Sequence, residues 1–399
     1  MNKVISLTKA SVRRAEREGR NARINGTIED VIAALRPARP LYVLWPKRIA
    51  QVAKDFMRAF PGTTMYAVKT NADENVIRTL AAAGMRAFDA ASIEEVRLVR
   101  RNAPKAKIYF MHPVKAPEAI REAYTEHGVR DFVIDTQDEL FKILRETDLA
   151  GDLTLFVRLG LPKNGKAAID FSVKFGCKPS EAVKLLRECR PVSAKVGLCF
   201  HVGTQTTDPS VYTRAVSLAA GVIRESGVGI DVLDIGGGFP VPYAGEDVAG
   251  PEIFIQTLKN ALDSEGLGRV PLLAEPGRAL VAAGGALVAR VELRKGNVLY
   301  LNDGTYGGLF DAGPMLKTKF PVRAHRPDGT LSGDLKAFRF AGPTCDSLDL
   351  MEGPFMLPAD IKMGDWIEIG NTGAYSRSMR TDFNGFGASD AVCLYDKKA

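Results

Sequence analysis

Eight short apolar runs, most of them separated by a stretch with helical periodicity, constrain this chain more than any other feature. They are Thr64–Val68, Met85–Phe88, Lys107–Phe110, Asp131–Ile134, Thr154–Val157, Val196–Phe200, Val232–Ile235 and Pro271–Ala274. Between them apolar residues recur at three-to-four spacing, as in Ile93–Val99 and Glu139–Leu144. Strands alternating with helices imply a parallel sheet, and eight such units over about 215 residues suit a (β/α)8 barrel of the TIM type. The residues that follow the runs are Lys69, Asp89, His112, Asp135, Arg158, His201, Gly236 and Glu275. All but Gly236 are polar or charged, and Gly236 opens a triple glycine. In a barrel these positions share one rim, the face where active sites form. A doubly wound sheet would gather its chemistry at a single switch point instead.

After Arg278 the pattern changes to β alternation, in Ala286–Leu293, Val298–Leu301, Lys336–Phe340 and Trp366–Ile369, with Gly and Pro between them. We therefore expect the barrel to be followed by a smaller all-β C-terminal domain. The expected divisions are a basic arm over 1–40, a barrel domain over 41–280 and the β domain over 281–399, with 41–45 (Leu41–Trp45) a strand of the β domain's sheet. The arm reads as polar and partly helical, and Pro46 to Phe60 as a helix. The net charge of +7 is concentrated in the arm, which holds nine Lys/Arg against four acids. The body is close to neutral and carries no basic stripe with interleaved aromatics, so no nucleic-acid partner is expected. Five cysteines without a CxxC pair fit reduced thiols. No run approaches the roughly 18 apolar residues of a membrane span. A cytoplasmic protein with no membrane partner is the expectation.

Lys69 follows the apolar residues of the stretch Tyr66-Ala-Val-Lys69-Thr-Asn71. Desolvation at the mouth of a core lowers a lysine's pKa, and only the neutral amine attacks a carbonyl, so this position suits a Schiff-base lysine. A solvated strand-end cap is the plainer reading. Gly236, Gly237 and Gly238 let backbone approach a ligand and aim N–H groups at an anion. They lack the G-x-G-x-x-G spacing, and Pro240 and Pro242 follow, so a single phosphate fits better than a dinucleotide. Arg278 can hold a phosphate through a bidentate pair, and Gly277 can add a backbone N–H. Glu275 could pair with a protonated ring nitrogen, and either charged residue could instead be a structural salt bridge. His201 stands alone at the sixth run, and with four His in the chain and no second ligand at suitable spacing, no metal site is expected. Cys345 and Asp346 lie in an apparent loop of the β domain, readable as a small buried hydrophobe and a turn cap.

Together these segments resemble the fold type III pyridoxal-phosphate decarboxylases, the family of ornithine, lysine, arginine and diaminopimelate decarboxylases. The resemblance runs from Leu41 to Phe386 through Tyr66–Asn71, Phe88–Ser92, Ser172–Gly176, Phe200–Thr204, Asp234–Pro240, Ala274–Arg278, Gly342–Asp349, Gly373–Tyr375 and Phe383–Phe386, in family order. Cys345-Asp346-Ser347 is similar to the ornithine/lysine branch rather than the diaminopimelate one. The resemblance implies pyridoxal 5'-phosphate held on Lys69 as a Schiff base. Its phosphate would lie on Gly236–Gly238, Gly277, Arg278, Thr204 and Tyr375, its ring face on His201 and its pyridinium nitrogen on Glu275. Asp89, Glu95 and Arg158 would order the site. Cys345 would protonate the product-side carbanion, and Asp346, reaching in from the other subunit of a homodimer with shared active sites, would meet the substrate's distal amine. A further distal-amine aspartate of related ornithine enzymes has Asp311 as its nearest counterpart, but the stretch Gly307–Pro314 does not align cleanly.

The implied activity is decarboxylation of L-ornithine to putrescine and CO2 in polyamine biosynthesis. The alternatives are a lysine decarboxylase giving cadaverine, a bifunctional lysine/ornithine enzyme, a diaminopimelate decarboxylase and a non-catalytic regulatory homologue. The last should have lost cofactor or proton-donor residues, yet Lys69, His201, Glu275, Arg278 and Cys345 are all present.

Overall fold

A computed structural model describes residues 22–162 and 174–395. Its strands begin with β1 (Ala22–Asn25) and β2 (Leu41–Leu44), followed by β3 (Thr63–Ala67), β4 (Ala87–Ala90), β5 (Lys107–Phe110), β6 (Asp131–Ile134), β7 (Thr154–Arg158), β8 (Lys195–Cys199), β9 (Val232–Asp234) and β10 (Leu272–Ala274). Strands β3 to β10 close a barrel in chain order, and every pairing between them is parallel. Period-two alternation turns Met65, Ala87, Tyr109, Met111, Val133, Phe156, Cys199 and Leu273 into one interior cluster. The packing is complementary in size: a Cβ at Gly197 would lie 2.5 Å from the Phe156 ring, so the glycine on β8 makes room for the phenylalanine on β7.

The same alternation carries polar residues to the C-terminal rim. The strand ends at the site differ from expectation. Asp89 and Arg158 are within β4 and β7 rather than after them. Strand β3 stops at Ala67, and Val68–Thr70 forms a 3-10 turn that Asn71 N–H closes on the Val68 carbonyl. Tyr66 Oη donates to the Asn71 carbonyl at 3.1 Å, tying the far side of that turn to the strand. Lys69 therefore projects from a short turn and not from a strand tip.

The remaining strands are β11 (Gly285–Lys295), β12 (Val298–Leu301), β13 (Val322–His325), β14 (Leu335–Ala341), β15 (Leu350–Pro358), β16 (Trp366–Gly370) and β17 (Asp390–Tyr395). With β1 and β2 they form a nine-stranded sheet ordered β1-β17-β2-β11-β12-β14-β15, in which β16 pairs with β11 and β13. The chain divides into two compact units. One takes residues to Gln51, Pro242–Asp247 and Val281 onward, and the other takes Val52–Val241 and Val248–Leu280.

Residues 22–40 do not behave as a polar arm. Strand β1 pairs in parallel with β17, and the helix Ile28–Leu35 begins at a Thr27 capping box with Asp30. Ile24, Ile28, Val31, Ile32 and Leu35 pack into one core with Leu41, Val43, Trp366 and Val392. Apolar residues three and four apart give this short helix a buried face despite the basic residues around it. Residues 1–21 of the expected arm, and Ser172 and Val173 of one motif, lie outside the described residues.

Candidate active site

The barrel rim gathers carboxyl groups around two cations. Lys69 Nζ lies 3.5 Å from Asp89 Oδ2. The lysine side chain is 42% exposed, so a neighbouring carboxylate, rather than the burial expected from sequence, holds the amine in place. Glu95 sits behind this pair and accepts a hydrogen bond from Ala91 N–H at 2.7 Å. Burial, and next the Asp89 charge, push its carboxyl up to about 7 even though that hydrogen bond pulls the other way. Across the rim Glu275 is buried and pushed well above the ordinary glutamate value, first by desolvation and then by the Asp234 and Asp89 charges. Lys69 and Arg158 oppose those charges. The Arg158 guanidinium is also centred 5.5 Å from the Phe175 ring, a cation–π contact.

His201 is a neutral imidazole near pH 7, because burial, then Lys69 and Arg158, hold its pKa well below the usual value. Gly203 N–H donates to its Nδ1 at 3.1 Å, which leaves the ring proton on Nε2. Gly203, Gly236 and Gly238 have φ of 100°, 67° and 99°, in the left-handed region. Side chains would not fit the turn in any case. A Cβ at Gly236, Gly237 or Gly238 would lie 2.3, 2.4 and 2.4 Å from the carbonyl oxygens of Phe200, Glu275 and Gly203. Tyr212 Oη donates to the Gly237 carbonyl at 2.7 Å from beneath. Thr204 follows Gly203 on the same loop, and Arg278 is buried at the start of the helix Arg278–Val281. Gly277 is equally confined: a Cβ there would lie 2.0 Å from Thr70 Oγ1, on the turn that bears Lys69.

In the other unit, Cys345 is exposed on the loop between β14 and β15, and its N–H donates to Asn384 Oδ1 at 3.1 Å. Asp346 beside it accepts from Leu348 N–H and from Tyr306 Oη, and these bonds hold its carboxyl below the usual aspartate value. Asp311 is buried in the Phe310–Ala312 turn. Tyr375 holds a φ of 52°, unusual for a residue with a side chain.

Sequence reading gave no role to the residues that fix these loops. Asp349 accepts from Thr305 N–H at 2.7 Å and from Thr344 N–H and Oγ1 at 3.0 and 2.8 Å, clamping two distant loops together. Asp303 accepts from Gly304 and Gly308 N–H, both at 2.7 Å, and pairs with Arg380. Only the neighbouring glycines hint at either role.

The rim fits a ring that carries a cation, a flat face and a phosphate. A buried glutamate crowded by the Asp234 and Asp89 charges favours a further cation, the neutral imidazole offers a flat surface, and the glycine turn admits no side chain of its own. Comparison with known proteins points the same way. A family model described as pyridoxal-dependent decarboxylase, pyridoxal binding domain, matches residues 46–282. The chain is 31% identical over 408 residues to an ornithine decarboxylase of Panagrellus redivivus, covering 92% of this chain and 89% of that one. It is similar to the crystal structure of a lysine/ornithine decarboxylase from Vibrio vulnificus complexed with putrescine, with TM-score 0.77, 32% identity and coverage of 92% and 97%. The X-ray structure of an arginine decarboxylase from Paramecium bursaria Chlorella virus, bound to agmatine, gives TM-score 0.80 at 26% identity, with coverage of 92% and 99%.

Proposed function

This chain belongs to the fold type III pyridoxal-dependent decarboxylases of basic amino acids, and from that membership we propose that it decarboxylates L-ornithine to putrescine and CO2 in polyamine biosynthesis. L-Lysine, giving cadaverine, is the second substrate of the same site. Pyridoxal phosphate, when bound, supplies an electron-accepting ring for the pair left on Cα as the carboxylate departs.

The chain's residues do the rest. Lys69 Nζ carries the cofactor, and Asp89 keeps that amine placed. Glu275 holds a proton on the ring nitrogen. At 4 Å and an effective dielectric of 20 such an attraction is about 4 kcal/mol, or roughly three decades of rate if expressed in the transition state. His201, held neutral, would offer its face to the ring without adding positive charge. Gly236–Gly238, Thr204, Gly277, Arg278 and Tyr375 bind the phosphate, and Arg158 and Glu95 order the acidic cluster. Cys345 delivers the proton that completes the product. Asp346, kept ionised by its two donors, meets the distal ammonium, and Asp311 is the second candidate for that contact.

The reading rests above all on one observation: a lysine beside a buried Asp89, in a rim that also holds Glu275 and a glycine turn. Cys345 is exposed beside exposed Leu348, Phe383 and Phe386. This is a chemical group in an apolar setting that a second copy would cover. We therefore propose a homodimer in which each Cys345 and Asp346 serve the partner's Lys69. Among the described residues no helix is long and apolar enough to cross a membrane, and we propose a cytoplasmic enzyme.

The test of substrate is steady-state kinetics with L-ornithine, L-lysine, L-arginine and meso-diaminopimelate. Ornithine should have the highest kcat/KM, with lysine within about 10- to 200-fold, because one methylene is worth only about 1–3 kcal/mol. A higher kcat/KM on arginine or diaminopimelate would overturn the assignment.

A further inference from the structure

Asp234 ends β9 next to Glu275, which follows β10, and both are buried. The two strand ends are locked in register: Ile235 N–H donates to the Leu273 carbonyl at 3.0 Å and Glu275 N–H to the Gly236 carbonyl at 2.8 Å. One oxygen of Asp234, Oδ1, accepts from Gly236 N–H at 2.9 Å. The other, Oδ2, is buried and finds no donor in any fixed N–H or hydroxyl among the described residues. Leu273 pairs with Asp234 across the two strands, so Glu275, two residues further on, turns its carboxyl to the same face, against the Asp234 side chain. Two carboxylates cannot hydrogen-bond each other, and two buried like charges in contact repel strongly. A single proton between them satisfies the orphaned oxygen and removes the repulsion.

We propose that Asp234 and Glu275 share one proton before the cofactor binds, and that this proton passes to the cofactor's ring nitrogen when it docks. Asp234 is thereby a positioning residue. It acts through Glu275, loading the site with the proton that the ring needs and holding the glutamate by an O–H···O bond on the strand next door. The balance is simple: the carboxylic O–H breaks, the N–H forms, and the pair goes from one shared proton and one negative charge to two carboxylates facing one cation. Net charge in the pocket does not change.

Other groups around the pair set the direction of the effect. Asp89 from β4 adds negative charge and favours retention of the proton, while Lys69 and Arg158 favour its loss. The Cys199 thiol and the Tyr109 hydroxyl, also facing the pair, are held neutral by burial. Consistent with a shared proton, the Asp234 carboxyl is pushed up to about 6 and that of Glu275 well above the ordinary value.

The reading needs only that the barrel binds pyridoxal phosphate, whichever amino acid is the substrate. In the first experiment, pyridoxal phosphate is titrated back into the cofactor-depleted full chain between pH 6 and pH 9, for wild type and for Asp234→Asn. The asparagine keeps an acceptor for Gly236 N–H. It removes the like charge that keeps the proton on Glu275, so the apo glutamate ionises at lower pH. Wild-type affinity should stay flat to higher pH, and the alkaline fall-off should begin about one pH unit or more earlier in Asp234→Asn. If instead the two pH profiles run parallel, offset by one constant factor, Asp234 is structural and the proposal is wrong.

A second measurement needs only wild-type protein and so does not depend on the variant's folding. Proton uptake on binding is measured by calorimetry in buffers of different ionisation enthalpy, for pyridoxal phosphate and for its carbocyclic analogue with CH in place of the ring nitrogen. At a pH above the ring nitrogen's own titration in free pyridoxal phosphate, both ligands give the same uptake if the pair supplies the proton. Uptake of one extra proton per site with pyridoxal phosphate means that the ring nitrogen is charged from solvent, and overturns the proposal. Failure of wild-type protein to bind pyridoxal phosphate at all would count against the functional reading rather than against the shared proton.

Discussion

Glu95 sits one shell behind the reacting lysine, and burial next to Asp89 holds its carboxyl at about 7 in the folded chain against an ordinary 4.5. The consequence for stability has a definite sign. A carboxyl whose pKa is raised by folding contributes fully below about pH 4.5. That contribution is lost as pH climbs to about 7, because the unfolded chain then binds fewer protons than the native one. The loss is at most about 3 kcal/mol for a shift of this size. Glu95→Gln removes the titrating group while keeping an acceptor for Ala91 N–H. The melting temperature of the variant, measured relative to wild type in cofactor-depleted protein, should therefore rise steadily from pH 4.5 to pH 7. A difference that is constant over this range would mean that Glu95 is already ionised throughout. The role of Asp234, the aspartate behind the glycine turn, is not legible in the sequence, because nothing local to Asp234-Ile-Gly236 announces a carboxyl on the neighbouring strand. Its pairing with Glu275 is made by barrel closure, which brings β9 beside β10.

Among the elements, the 3-10 turn Val68–Thr70 carries the most consequence for its length. Gly277 lies against it so closely that Gly277→Ala would press a methyl group into Thr70 Oγ1. Overpacking of this kind costs about 1–3 kcal/mol, and here the strain falls on the turn that aims Lys69. We expect a loss of cofactor retention and of kcat/KM in Gly277→Ala, with partial recovery in the double variant Gly277→Ala/Thr70→Ala. Additive effects in that double-mutant cycle would show that the turn is not the target. The barrel strands are legible in the sequence because each is a short apolar run with a polar residue at its end, and a barrel places all those ends on one rim. Four strands of the sheet, β1, β13, β15 and β17, are not legible. Strand β15 contains Gly353-Pro354, which reads as a turn, yet an edge strand tolerates a proline because its outer N–H needs no partner. Strand β1 is four residues long, Ala-Arg-Ile-Asn, and only its pairing with β17 at the opposite end of the chain makes it a strand. Likewise, Asp349 clamps Thr305 from 44 residues away, a relation that no local pattern encodes.

For the whole molecule, the groups that carry chemistry are split between two units of different architecture. Lys69, Asp89, His201 and Glu275 belong to the barrel, and Cys345 and Asp346 to the sheet unit. The proposed isologous dimer gives two equivalent sites, each with a lysine from one copy and a cysteine from the other. Lys69→Ala and Cys345→Ala should each be nearly inactive when assayed alone on L-ornithine. The decisive measurement is the decarboxylation rate of an equal mixture after subunit exchange. Half of the dimers are then hybrids, each with one intact site and one doubly damaged one, so activity should return to about a quarter of wild type. If native mass spectrometry shows hybrids in the mixture while it stays as inactive as its two components, the sites are not shared and the account is contradicted.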